Sequence, residues 1–574
     1  MEHSSQTKTC QNKDKSKYCM GEFTITPDDF LFYEKMKVPP PTFCPECRYI
    51  RRLLDRNEYN LYKRKCDATG ENIISIYKQD SPFPVYKQDY WKSDLWDAMD
   101  YNKDFDFSRS FFEQYEELRR SVPHLAMVNS SSENSEYTNQ AQNNRDCYML
   151  VTSGTNEKCM YGSWNQNGNY MNSDCYMVEM SEYCYECIWL SKCSKCTWSF
   201  NCHDCVDVHF SRDCRGCMDC FGCVGLRNKQ YYYFNENVGK SKYEELTNKN
   251  TWSREFLKEV KKNSEDFHLS KPVKHYNGFS INNSTGDYIQ NTERTRYSFN
   301  CRDTKDVAYM QDAWTKTADC LDCTEIIKAE LSYEIQGVEA PSRCIGIRSC
   351  FNTVSDSCYC DMCFGIYECF GCFGLKNKQY CILNKQYTKE KYFELKEKII
   401  KHMRQTNEWG EYFPSEFSPF SYNESMAQDY FPLKKEEALR FGYKWSDRNE
   451  RDYKVTIISS GLPQKISEVS DSILNEVIGC LTQENMELKN EYTLCTTAFK
   501  ITKLELMLYK LLKIPLPEKC FPCRRQDRFK KRNLRKLYNR SCMKEGCTNT
   551  FETTYAPDRP EIVYCEECYK REIY

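Results

Sequence analysis

Histidine is scarce, with seven in 574 residues, and glycine is thin at 21. The chain has no His-Glu-x-x-His pair, no Gly-x-x-x-x-Gly-Lys loop, no Gly-x-Gly-x-x-Gly turn and no Gly-x-Ser-x-Gly elbow. Zincin, P-loop, dinucleotide-binding and hydrolase-elbow chemistry are left without residues. No apolar run approaches the ~18–20 residues that a membrane helix needs. Met1–Cys10 shows no apolar signal core. An excess of one charge is missing too: 81 Lys+Arg stand against 83 Asp+Glu, a net charge of −2. With no global field, any nucleic-acid or acidic-surface binding must use a local patch. The chain reads as soluble and cytoplasmic, with no membrane partner and no small-molecule substrate identified.

Cysteine is abundant instead, at 37 residues. An odd count cannot all pair within one chain. In a reducing compartment, clustered cysteines mean metal, redox chemistry or small buried side chains rather than disulfides.

Two internal repeats lay out the chain. Shifted by 476 residues, Cys19–Cys66 falls on Cys495–Cys542 without a gap, matching Phe23/Phe499, Tyr33/Tyr509, Cys44/Cys520, Arg48/Arg524 and Tyr62/Tyr538 among others. In the middle, Cys-Phe-Gly-Cys-x-Gly-Leu-x-Asn-Lys-Gln-Tyr starts at Cys220 and again at Cys369, 149 residues on. The expected fold is multi-domain and β-rich with helical linkers: tandem zinc ribbons at both ends flank two cysteine-rich, β-solenoid-like repeat domains. Its parts are a zinc ribbon plus a decayed, metal-free ribbon (1–91), a helical linker (92–123), repeat copy one (124–238), a helix (239–275), repeat copy two (276–385), a helix with an aromatic, proline-containing linker (386–465), and tandem zinc ribbons (466–574). Ser241 with Glu244 reads as a capping box, Thr388 as an N-cap, and 92–120 as helical with Phe111, Tyr115 and Leu118 on one face.

The terminal cysteines have metal-ligand spacing. The first set is Cys10, Cys19, Cys44 and Cys47; its counterpart is Cys480, Cys495, Cys520 and Cys523. A third, compact set is Cys542, Cys547, Cys565 and Cys568. Two Cys-bearing knuckles separated by a β-rich insert suit tetrahedral zinc with four thiolates, so three zinc ions are expected. Such sites are closed and lack the open position that catalysis needs, which favours a structural role. The N-terminal counterpart of the third set keeps Cys66 but has Thr69, Lys87 and Tyr90 at the other ligand positions. One thiolate cannot hold zinc alone, so packing must hold that ribbon.

Phe23-x-Ile-Thr-x-Asp-Asp, followed by Pro-x-x-Cys-Pro-Glu-Cys-Arg48, resembles a zinc-ribbon domain of many bacterial proteins. Over nearly its whole length the chain is similar to large zinc-ribbon, cysteine-repeat proteins of candidate-phyla bacteria, some labelled CaiB/BaiF. The resemblance implies zinc ribbons and no established activity, and no residue pattern here supports an acyl-CoA transferase.

From Cys175 the middle cysteines keep a beat of nine. Nine-residue units can stack as half-coils of an 18-residue solenoid, with reduced Cys as small interior filler. Two alternatives are a multi-metal array and an iron–sulfur site at Cys214, Cys217, Cys220 and Cys223. Cys217 stands off the nine-beat. His203 and His209 have no partner at ligand spacing.

Arg48, Arg52 and Arg56 recur every fourth residue after a knuckle, as do Arg524, Arg528 and Arg532. Residues 524–540 carry nine Lys/Arg against one Asp. Such a stripe could grip RNA or DNA phosphates, neutralise a four-thiolate zinc and tie ribbons together, or meet a protein partner. The reading as a whole is a non-enzymatic, zinc-stabilised binding scaffold with nucleic acid the leading partner class; the alternative is a thiol-rich metal-binding or redox protein.

Overall fold

A left-handed backbone residue recurs at every third position from Met171 to Phe234 and, with two one-residue insertions, from Tyr288 to Leu383. L-residues pay for that conformation unless a short polar side chain or none at all eases it, which is why Asp fills Asp174, Asp204, Asp207, Asp213, Asp312 and Asp322. The computed structural model in which these angles are seen describes residues 4–447, 453–485, 488 and 494–573.

Through most of both runs the left-handed residue precedes a buried one. From Cys175 to Cys223 every third side chain is at most 2% exposed, including Val178, Ser181, Leu190, Ser199, Val208 and Cys217. The beat is therefore three. A period of nine emerges because Val, Leu and Ser interrupt the cysteines, and Cys217 falls on the beat rather than off it. Neighbouring stretches pair in parallel at an offset of twelve residues: Tyr176 with Ile188, Ile188 with Phe200, Met218 with Gln230. Copy two does the same, with Gly286 on Ser298 and Tyr333 on Ile345. The repeat of the ladder is thus twelve, four three-residue units, where the sequence suggested eighteen. Ile, Val, Thr and Ala replace cysteine at many copy-two positions without breaking the three-beat, as at Ile289, Thr292, Val307 and Ala313.

Many of the buried thiols lie within hydrogen-bond reach of backbone carbonyls. Cys187 Sγ donates to the carbonyls of Tyr185 and Cys196 at 3.3 and 3.4 Å, and Cys193 to those of Ser191 and Cys202 at 3.4 Å each. Ser199 Oγ reaches the equivalent carbonyls, Thr197 and Val208, at 3.0 and 3.1 Å. Cys and Ser are interchangeable fillers there, and burial pushes thiols up, Cys147 to about 11 and Cys344 to about 12. The glycine of each Cys-Phe-Gly-Cys motif is required: Gly222 and Gly371 are left-handed, and a Cβ on either would stand 2.8 Å from the ring of Phe234 or Phe111.

Helices lie outside the ladders. Thr388 caps Lys389–Gln405 as expected. The helix Gly239–Leu246 starts ahead of Ser241 and has no side-chain cap; Ser253, not singled out from sequence, caps the longer Arg254–Leu269. Within 92–120 the α-helix is confined to Phe111–Ser121, beyond the end of Gln88–Lys92, and Phe111, Tyr115 and Leu118 are fully buried. Trp409, Tyr412, Phe413 and Phe420 of the aromatic segment pack into the same core as copy two.

Replacing Cys196 by Ser should cost no more than about 1 kcal/mol, because a hydroxyl there meets the carbonyls of Ser194 and Cys205 as Ser199 meets those of Thr197 and Val208. Cys196→Leu should cost about 1–3 kcal/mol by overpacking. Urea unfolding with parallel metal analysis checks both, and metal content should not change in either variant.

Candidate metal centres

Three groups of four cysteines converge, and they are the three sets read from spacing: Cys10, Cys19, Cys44, Cys47; Cys480, Cys495, Cys520, Cys523; Cys542, Cys547, Cys565, Cys568. In each group the sulfurs all lie within 4.8 Å of one another. Sulfur separations of 4.0 Å for Cys19–Cys44, 3.9 Å for Cys480–Cys523, 3.7 Å for Cys520–Cys495 and 3.9 Å for Cys547–Cys565 are those of a small cage. Four ligands about 2.3 Å from a tetrahedral ion stand about 3.8 Å apart, so the sets fit one metal ion each. Among the described residues no middle cysteine joins such a group, and neither does Cys66.

The local folding that builds these cages is repeated at both ends. Thr26 and Thr502 each cap a ten-residue helix with a reciprocal box to Asp29 or Glu505, and Lys37 and Lys513 end those helices in left-handed conformation at φ 57° and 56°. The next helix begins on a ligand, Cys44 before Pro45–Leu54 and Cys520 before Phe521–Lys530. Backbone amides point at the sulfurs: Cys44 N–H donates to Cys10 Sγ at 3.2 Å, Cys520 N–H to Cys480 Sγ at 3.3 Å, and Cys565 N–H to Cys542 Sγ at 3.3 Å. Such bonds favour thiolates. Hydrogen bonds from Cys44 and Cys47 hold Cys10 down to about 2, and those from Cys495 and Cys523 help hold Cys480 down to about 6.

The decayed ribbon has changed its glue. Cys66 Sγ accepts a hydrogen bond from Lys87 N–H at 3.3 Å, Lys87 Nζ pairs with Glu71 at 2.6 Å, and Ile76, Tyr77, Phe83, Val85 and Trp91 join the main apolar core.

The six arginines are where the phosphate-gripping reading loses its residues. Arg48, Arg52, Arg56, Arg524 and Arg528 are at most 5% exposed. Arg48 Nε meets Asp322 at 2.9 Å, and Arg52 meets Asp322 at 3.5 Å and Glu334 at 2.8 Å. Arg524 Nε meets Asp174 at 3.0 Å, and Arg528 meets Asp174 at 2.8 Å and Glu186 at 3.2 Å. Arg56 is held by Glu58 and Glu325. Arg532 stacks its guanidinium 3.5 Å from the Phe529 ring centroid and 4.4 Å from that of Tyr176. Burial opposes the charge on Asp174, and the guanidinia of Arg524 and Arg528 overcome it, leaving its carboxyl below the usual value.

These contacts are twins. Asp322 and Glu334 lie 148 residues after Asp174 and Glu186, at equivalent places in the two copies. So do Tyr309 and Tyr161, whose hydroxyls bond Asp29 at 3.2 Å and Glu505 at 3.1 Å and whose rings each lie 5.1 Å from Arg48 or Arg524. The motif offset of 149 differs by one because a residue is inserted at the irregularity between Phe351 and Val354. The N-terminal ribbon therefore docks on copy two and its C-terminal counterpart on copy one. The second ribbon of each pair crosses the other way: Val85–Tyr86 pairs with His124–Leu125 at the start of copy one, and Val563–Tyr564 with Val273–Lys274 just ahead of copy two. The carboxylates were missed from sequence because the repeat was matched only around its cysteine motif; carried upstream with a one-residue gap, the alignment pairs Asp174 with Asp322.

A cleft of about 1550 Å³ opens among Tyr59, Tyr62, Tyr137, Tyr148, Trp445 and Phe499. Among the described residues no helix is long and apolar enough to cross a membrane.

No protein family and no curated protein matches the chain. A solved structure of a candidate acetyltransferase from Desulfovibrio desulfuricans G20 is similar over 49% of this chain and 82% of its own, at 8% identity and a TM-score of 0.10. At that score the likeness carries no argument about fold or activity.

Asp174→Asn or Asp322→Asn should each destabilise by roughly 3–5 kcal/mol, since each strands two buried guanidinia. Asp306→Asn, which breaks an exposed pair with Arg294, should cost less than about 1 kcal/mol. Denaturant unfolding of the three variants compares them, and equal costs would contradict the docking role.

Proposed function

We propose that the protein is a non-enzymatic scaffold stabilised by three zinc ions, in which two narrow solenoids of four three-residue sides per turn are clamped by ribbon pairs. The observation that carries it is the match between three closed four-sulfur cages and tetrahedral four-thiolate coordination. Zinc fits because every donor is a cysteine sulfur and the backbone amides aimed at the sulfurs would stabilise thiolate charge. Its contribution is folding: each ion fixes the knuckle from which an arginine-bearing helix starts. The aromatic cleft beside the C-terminal ribbon is the surface such a scaffold offers to a partner.

The twin arginine stripes belong to this reading as internal ties. Nucleic-acid binding through Arg48, Arg52, Arg56, Arg524, Arg528 and Arg532 would require breaking the contacts that seat the ribbons. The thiol-rich metal or redox reading is less favoured, since among the described residues no middle cysteine joins a group of converging ligands.

Elemental analysis of purified protein should give three zinc ions per chain and no stoichiometric iron or acid-labile sulfide. A fourth zinc, or iron at stoichiometric level, would contradict the assignment. In Arg524→Gln/Arg528→Gln, melting temperature should fall, while a salt titration with mixed RNA and DNA should show no binding that the variant loses. Salt-sensitive binding lost by the variant without a loss of stability would restore the nucleic-acid reading.

A further inference from the structure

The three centres are not equally shielded. All four cysteines of the Cys480–Cys523 set are buried, and of the first set only Cys19 is partly exposed. In the third set both Cys547 and Cys568 are partly exposed. The ribbon around it also has the least apolar support. Val563 and Tyr569 are buried and Phe551 lies 4.4 Å from the His275 ring, yet among the described residues no side chain of 542–573 joins one of the hydrophobic clusters. Its equivalent at the other end, the ribbon with Cys66, sits in the main core through Phe83, Val85 and Trp91. One cap is held by packing, and the other depends on its metal.

That dependence reaches Val273–Lys274, the short strand just ahead of copy two. Val273 N–H donates to Ile562 O at 2.8 Å, and His275 N–H to Tyr564 O at 3.0 Å. Thr553 Oγ1 donates to His275 O at 2.6 Å. These bonds seat Val273–Lys274 in a two-stranded sheet with Val563–Tyr564, just ahead of the copy-two ladder whose edge strand is Gly278–Asn282, and Tyr564 is followed directly by Cys565.

We propose that the Cys542–Cys547–Cys565–Cys568 centre is an oxidation site whose reaction with a peroxide releases its metal and uncaps copy two. This rests on the zinc assignment. The exposed Cys547 thiolate gives its electron pair to one peroxide oxygen; the other oxygen leaves with a proton as water, and a sulfenic acid remains. The Cys565 sulfur, 3.9 Å away, displaces the hydroxyl, which takes a second proton and leaves as water. Two thiolates, one hydrogen peroxide and two protons thus give one disulfide and two waters. A second round on Cys542 and Cys568 consumes another peroxide and two protons, and the zinc ion departs with no ligand left. In the Cys480–Cys523 set no sulfur offers the attacking oxygen comparable access, and in the first set only Cys19 does.

The test uses the full chain isolated under reducing conditions, with its zinc counted first. Hydrogen peroxide is then titrated while released zinc is read with a chromogenic chelator, disulfides are mapped by mass spectrometry, and amide exchange is followed. The expected result is release of one zinc before the other two, with disulfides confined to the four cysteines of this set. Exchange at Val273 and His275 should rise about tenfold or more, as for a local opening, while the copy-one ladder stays protected. Simultaneous release of all zinc, first disulfides in either buried set, or unchanged exchange at Val273 and His275 would overturn the proposal. Fewer than three zinc ions before peroxide would instead overturn the assignment beneath it. Cys568→Ser gives an independent check: it should remain folded with two zinc ions and show raised exchange at Val273 and His275 without oxidant. Full protection at those amides in that variant would also overturn the proposal.

Discussion

Two buried carboxylates organise this molecule. Asp174 and Asp322 project from left-handed positions on the repeat ladders, each completely shielded from solvent, and each meets two guanidinia from a ribbon helix. A buried charge without its partner is far more costly than the pair is favourable. The interaction therefore acts as a fixed address more than as a large source of stability. It admits one seat for each arginine-bearing helix, and the metal cage at the start of that helix sets the direction in which the arginines project. Ribbon, helix and ladder are specified together.

The same contact explains the order of domains along the chain. A ribbon and a repeat copy form one docking unit, present twice, but the ribbons are exchanged: the N-terminal ribbon sits on the second copy and the C-terminal ribbon on the first. The second ribbon of each terminal pair caps the copy that the first does not dock on. Each pair therefore touches both copies, and Trp189 stacked on Tyr288, with centroids 4.3 Å apart, adds a direct contact between them. The two caps differ in physical kind: one brings four cysteines together, and the other, with Cys66 alone, packs Phe83, Val85 and Trp91 into the main core.

Much of this was legible in sequence because metal ligation and internal duplication leave discrete marks. Cys10 to Cys47 and Cys542 to Cys568 announce their cages by spacing, and the ungapped 476-residue shift finds the paired ribbons. The role of the arginines was not legible. A stripe of Arg has the same sequence whether it faces a phosphate or an aspartate on a distant segment, and only the fold brings Asp322 to Arg48. The length of the pairing repeat was misread for a different reason. Cysteine samples a three-residue beat unevenly, so Cys175, Cys184 and Cys193 suggest nine while Val178, Ser181 and Leu190 carry the true period. The capping box at Ser241 failed because the helix already starts at Gly239.

The exchanged docking is tested most directly by lysine cross-linking and mass spectrometry on the intact protein. Lys35 of the N-terminal ribbon pairs with Asp319 of copy two at 3.0 Å, so it should cross-link to copy-two lysines such as Lys305, Lys316 or Lys328. Lysines of the C-terminal ribbon region, Lys519 and Lys531, should link to Lys195 in copy one or Lys261 in its flanking helix. Cross-links from Lys35 to Lys158, Lys192 or Lys195 of copy one, in place of copy two, would contradict the account.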